Sequence, residues 1–157
     1  MGYSILVRRY QFEDLDDIRE ILLEYPSPSG RRWTDNLVKE MICDALKEQP
    51  DGIFVAEVSG KVVGFVIALH REWFNIAYLD YIQVKTAWMN EGVGHELLEK
   101  CIEWARKKAT RIIYTETGRN NDGAIKFYEK HGFRITGCIP EYYRERLDAV
   151  VLVRKLV

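Results

Sequence analysis

The stretch Ile76–Leu98, IAYLDYIQVKTAWMNEGVGHELL, decides the fold. Its first half alternates. Tyr78, Asp80, Ile82 and Val84 are expected on one face of a strand, with Ala77, Leu79, Tyr81 and Gln83 on the other. A turn follows through Met89-Asn90-Glu91-Gly92-Val93-Gly94. Leu97, Leu98, Cys101, Ile102 and Ala105 then recur at helical spacing. Strand, glycine turn and helix together form an anion site. The glycines let a ligand approach the backbone, and the first free N–H groups of the helix point at it. The reading is a diphosphate cradle. A plain tight turn is the alternative. A dinucleotide fold requires a third glycine where Leu97 stands, and no P-loop motif occurs.

A second motif lies some thirty residues on, in Asn121-Asp122-Gly123-Ala124-Ile125-Lys126-Phe127-Tyr128, ending at Gly132-Phe133. With the glycine turn, it resembles the GNAT family, the acetyl-CoA-dependent N-acetyltransferases. The family's turn reads [QR]-x-x-G-x-[GA]. Its second signature is Asn, Ala three residues on, Tyr seven on, then Gly-Phe. The resemblance covers Ile53 to Val157 and is loose over the first fifty residues. It implies an α/β (α+β) GNAT fold in a single domain over residues 1–157. A mixed, mostly antiparallel sheet of about seven strands is flanked by four helices and splayed between strands 4 and 5.

The rest of the chain fits that order. Ser4–Arg9 reads as a strand and Glu13–Tyr25 as a helix stopped by Pro26-Ser27-Pro28-Ser29-Gly30. Thr34 can cap a second helix carrying Leu37, Val38, Met41, Ile42, Ala45 and Leu46. Ile53–Val58 and Lys61–Leu69 form a hairpin about Ser59-Gly60. Arg111–Thr117 is a strand, a helix starts at Asn120 or Asn121, and Phe133–Ile139 and Ala149–Leu156 close the chain.

Composition sets outer bounds. The chain has 157 residues, 47% hydrophobic and 30% charged, which suits one globular domain. No apolar run approaches the roughly 20 residues of a spanning helix. The start, MGYSILVRRY, has no apolar leader core, so a cytoplasmic protein without membrane association is expected. A formal charge of −1 argues against a nucleic-acid partner. Cys43, Cys101 and Cys138 are expected as buried free thiols. Neither they nor His70, His95 and His131 show metal-ligand spacing.

Acetyl transfer to an amine needs a grip on the cofactor, a donor for the oxyanion, an acid for the leaving thiolate and a route for the amine proton. The backbone of Met89, Asn90, Glu91, Gly92, Val93 and Gly94 would hold the diphosphate of acetyl-CoA. Met89 departs from the family's Gln or Arg, and Glu91 adds a negative charge there. By resemblance, the N–H of Ile82 would meet the thioester carbonyl. Val84 would pair with the pantetheine arm, Asn121 would touch the cofactor, and Tyr128 would be the general acid. Asp80 and Tyr78 match positions where family members carry a base, with Glu116 on the neighbouring strand as a third candidate. By the same resemblance, Arg31 and Trp33, beside Arg32, would border the acceptor side; a solvated charge pair beside a core-anchoring tryptophan is the alternative. Tyr142 and Tyr143 resemble the last hairpin of protein N-terminal acetyltransferases. The expected acceptor is a small amine or polyamine, the alternative a peptide α-amine. A non-catalytic acyl-CoA-binding module is the reading from another class. A second copy of the chain is a candidate partner, and no metal is expected.

Overall fold

The computed structural model describes residues 2–157. Seven strands form one sheet: β1 (Ile5–Arg9), β2 (Ile53–Val58), β3 (Lys61–Arg71), β4 (Ile76–Val84), β5 (Ile112–Gly118), β6 (Arg134–Arg144) and β7 (Leu147–Lys155). Their order across the sheet is β1-β2-β3-β4-β5-β7-β6. Every neighbouring pair is antiparallel except β4 and β5, which are parallel. The helices are α1 (Leu15–Leu23), α2 (Asp35–Glu48), α3 (Val93–Lys107) and α4 (Asp122–Lys130).

The sheet separates two cores. Ile18, Ile21 and Leu22 of α1 and Val38, Ile42 and Ala45 of α2 pack on Val55, Phe65 and Ile67. On the other face, Leu97, Leu98, Cys101, Ile102 and Ala105 of α3 and Tyr128 of α4 pack on Ala56, Val66, Ala77, Leu79 and Ile113. The helical stripes of the sequence therefore become two layers with the sheet between them.

Local chemistry sets the boundaries. Thr34 accepts from the Leu37 N–H and caps α2, as expected. Ser59 and Gly60 both have positive φ, which suits the tight turn between β2 and β3. Asp14 precedes α1, buried, and accepts two hydrogen bonds from Arg8 of β1 at 2.8 and 2.9 Å. Of the cysteines, Cys101 is buried, whereas Cys43 and Cys138 are exposed. The expectation of three buried thiols is corrected to one. Cys43 lies on the outer side of α2, and Cys138 lies on the edge strand β6, whose residues are almost all exposed.

Gly52 needs the absence of a side chain. A Cβ there would stand 2.0 Å from the Ala68 carbonyl oxygen, which is backbone and cannot swing aside. Gly52→Ala is expected to lower stability by about 2 kcal/mol in a urea titration. An unchanged midpoint would show that the α2–β2 turn relaxes freely.

Candidate active site

The central strand does not alternate uniformly. Ile67 pairs with Tyr81 and Ala68 with Leu79, leaving Asp80 as an extra residue. This β-bulge reverses the phase of the strand. Ala77 and Leu79 before it, and Ile82 and Val84 after it, all pack in the core beneath α3. Tyr81 packs in the opposite core. The expectation that Tyr78, Asp80, Ile82 and Val84 share one face is therefore corrected. A period-2 pattern holds only within an unbroken ladder, and one inserted residue moves every later side chain across the sheet.

The same region opens the sheet. β4 and β5 pair only at Ile76–Ile112, Ala77–Ile113 and Tyr78–Tyr114, then part. The buried Thr115 hydroxyl, donating to the Leu79 carbonyl at 2.9 Å, crosses the start of the gap. Beyond it β4 has a free edge. The Lys85 N–H bonds the Val63 carbonyl on β3. By alternation, the amides of Ile82 and Val84 turn the other way, into the gap. Tyr25, just after α1, donates its hydroxyl to the Val84 carbonyl at 2.8 Å.

At the far end of β4, a single helical turn (Thr86–Trp88) leads into the glycine turn. Asn90 has φ 61° and Gly92 φ 87°, so the backbone curls before α3. Gly92 stands at the N-cap without a side-chain cap. Among the described residues, no backbone carbonyl accepts from the amides of residues 90–95. Gly94 lies so close to α4 that a Cβ would meet the Phe127 ring at 3.3 Å. The result is a backbone concavity with free donors at a helix N-terminus, which fits a diphosphate. The Glu91 carboxylate accepts from Tyr3 rather than sitting free, and Tyr3 packs edge-on against Trp88 at 4.9 Å. Met89 is exposed.

Asn121 caps α4, accepting from the Ala124 N–H at 3.1 Å. Its side-chain oxygen therefore has a structural role in this structure. Tyr128 is 4% exposed, between Phe127 and Phe133. Burial pushes its phenol above the ordinary tyrosine range, partly offset by the Thr115 hydroxyl.

The other face of the gap is aromatic and acidic. Tyr78 stacks on Tyr114 at 4.8 Å. The hydroxyls of Tyr78 and Tyr142 both donate to Glu116, the second at 3.2 Å. Burial raises the Glu116 carboxyl, the two tyrosine hydroxyls pull it back, and the nearby charge of Asp80 raises it further. The Asp80 carboxyl is also raised by the sheet around it, although the residue is exposed at its edge. Tyr78 and Arg71 oppose that rise. Tyr143 packs edge-on against Tyr142 at 4.9 Å. Trp33 reaches the same layer and meets Tyr81 edge-on at 6.1 Å, whereas Arg31 is exposed on the α1–α2 connection. Tyr25, Tyr114 and Thr115 were not singled out in the sequence. Tyr114 and Thr115 could have been found as neighbours of Glu116 in the strand. Nothing in the sequence signals the Tyr25 contact.

Comparison with known proteins agrees with this geometry. The model of the acetyltransferase (GNAT) family matches residues 15–133, and the chain belongs to that family. An N-acetyltransferase of Methanocaldococcus jannaschii is 32% identical over 81% of this chain, which spans 59% of that relative. An L-amino acid N-acetyltransferase of Escherichia coli is 30% identical over 96% of this chain and 98% of its own length. An N-alpha-acetyltransferase of Sulfurisphaera tokodaii is 28% identical over 99% and 95%. Among solved structures, Ard1 from Thermoplasma volcanium superposes with a TM-score of 0.84 at 26% identity, over 98% of both chains.

Proposed function

We propose that this protein transfers an acetyl group from acetyl-CoA to the α-amine at the end of a peptide, by direct attack in a ternary complex. The observation that carries the acceptor is the gap's proton-accepting equipment. It consists of two carboxylates, Asp80 and Glu116, with no imidazole beside them; His70 bonds Asn75 at the other end of β4, and His95 and His131 pair on the α3–α4 side. An α-ammonium titrates near pKa ~8 and an alkylammonium near ~10.4, a difference of about 3.5 kcal/mol in freeing the nucleophile at neutral pH. Carboxylates and water suffice for the first far better than for the second. Relatives named for α-amine and amino-acid acetylation support the same reading.

The donor side follows from the backbone. Amides of residues 90–95 would hold the diphosphate, the Ile82 N–H would meet the thioester oxygen, and Val84 would align the pantetheine arm. Tyr25 shares the Val84 carbonyl, which has a second lone pair for that arm. Tyr128 would give its proton to the departing thiolate. Direct attack is favoured over an acyl-enzyme because the cysteine behind Tyr128, Cys101, is inert. Burial pushes its thiol up to about 12.

The test is thiol release from acetyl-CoA with short peptides and with spermidine, followed across pH. The rate on peptides is expected to rise with pH as the raised carboxylates and then the α-amine lose their protons. Glu116→Gln is expected to cost roughly tenfold in kcat, below the ~10² of a dedicated acid–base group, because Asp80 and water remain. Turnover on spermidine alone would overturn the α-amine reading. Acetyl-CoA binding without release on any amine would favour a binding module.

A further inference from the structure

Resting on the α-amine reading, we infer that the preferred acceptor is a peptide with an acidic side chain at its second or third residue. The carboxylate floor of the cleft has a cationic rim. The tip of the β6–β7 hairpin meets the α1–α2 connection: a Cβ on Gly30 would stand 3.7 Å from Cδ of Arg144. This brings Arg144 to the loop that carries Arg31 and Arg32. All three are exposed, and among the described residues none is in an ion pair.

The nearby acids are otherwise engaged. Glu145 faces Arg146 at 4.0 Å. Glu141 accepts from the Arg146 N–H at 3.1 Å. Asp148 holds Arg119 at 3.3 Å and Asp35 holds Arg19 at 3.2 Å. Three exposed arginines without an ion pair among the described residues therefore stand on the hairpin tip and the adjoining loop, each able to grip a carboxylate through two N–H donors.

The spacing selects the peptide. Tyr142 reaches down to Glu116 on the floor, and Arg144 lies two residues further along the same strand. The ladder is irregular between Ile139 and Arg144, so the two side chains are separated by at most about 7 Å of chain, within the reach of two residues of an extended peptide. A ligand with its ammonium at Glu116 and Asp80 would bring its second or third side chain to the rim. A free amino acid carries its carboxylate on the same Cα as its amine and is too short for both.

The experiment uses the full chain and saturating acetyl-CoA, with matched peptides beginning Ser-Asp-Glu, Ser-Gln-Ala and Ser-Lys-Lys, and free aspartate. The acidic peptide is expected to exceed the basic one roughly tenfold in kcat/KM, a gap that narrows in high salt. The charge-reversed variant R31E/R32E/R144E is expected to invert the order. The readout is a ratio between substrates, so a general loss of activity does not imitate it. Equal rates on the three peptides, or an order that survives the reversal, would overturn the rim and leave the α-amine reading intact. Free aspartate matching the acidic peptide would overturn the peptide length. Turnover confined to a polyamine would instead overturn the reading beneath.

Discussion

Tyr128→Phe is expected to lower kcat about a hundredfold while leaving the affinity for acetyl-CoA unchanged within about twofold. The substitution removes one oxygen from a ring packed between Phe127 and Phe133, so the fold should persist. What it removes is a phenol oxygen held in the core between β4, β5 and α4, on the side where the Thr115 hydroxyl bonds the Leu79 carbonyl at the start of the gap. A buried phenol with its pKa pushed above the ordinary value stays protonated through neutral pH. It can then donate to a thiolate formed beside it. The sign of the pH effect follows. In the wild type, loss of this proton should reduce the rate only above pH ~10, since burial moves the transition upward. Stopped assays at several pH values, with calorimetric binding of acetyl-CoA, separate the two effects. A Phe variant with full kcat would make Tyr128 a packing residue and water the acid.

Gly94→Glu is expected to weaken acetyl-CoA binding roughly a hundredfold, close to 3 kcal/mol. Two effects combine. A carboxylate in the first turn of α3 occupies the positive end that the diphosphate would use. The new side chain also enters a space where even a Cβ meets Phe127 at 3.3 Å. Gly94→Ala separates them. It adds the crowding without the charge, and the far end of the Phe127 ring can give by a few tenths of an ångström. The alanine variant is therefore expected to lose far less. Calorimetry on both, with melting temperatures as the fold control, decides the matter. Equal losses would assign the effect to packing between α3 and α4, and no loss in either would place the diphosphate elsewhere.

Much of this was legible before any coordinates. β2 and β4 run over the expected residues, because apolar alternation and turn residues bound them on both sides. Asn121 was one of two candidates for the start of α4, and its side chain makes the cap. β6 extends five residues past its expected end. The expected strand stops at Ile139, before Pro140 and the polar residues that follow it. On an edge strand, a residue without an N–H and exposed polar side chains are both tolerated. The resemblance implies a bulge where strands 4 and 5 splay, but its place at Asp80 is not legible in the residues. It is a property of pairing between β3 and β4, and neither strand alone carries its mark. The floor of tyrosines around Glu116 likewise depends on four segments meeting, so only its members could be named in advance.

The extra residue at Asp80 has a consequence for how such a chain can diversify. It divides one strand into two stretches that answer to different surroundings. Before it, outward positions such as Tyr78 would border the proposed acceptor. After it, the inward-packing Ile82 and Val84 support the edge along which the donor would lie. Changes in the first stretch can retune what is acetylated without disturbing the second. A deletion of the single residue would merge them into one unbroken ladder, with Leu79 beside Tyr81 and Ala77, Leu79, Ile82 and Val84 still in the α3 core, and the division between the two stretches would be lost.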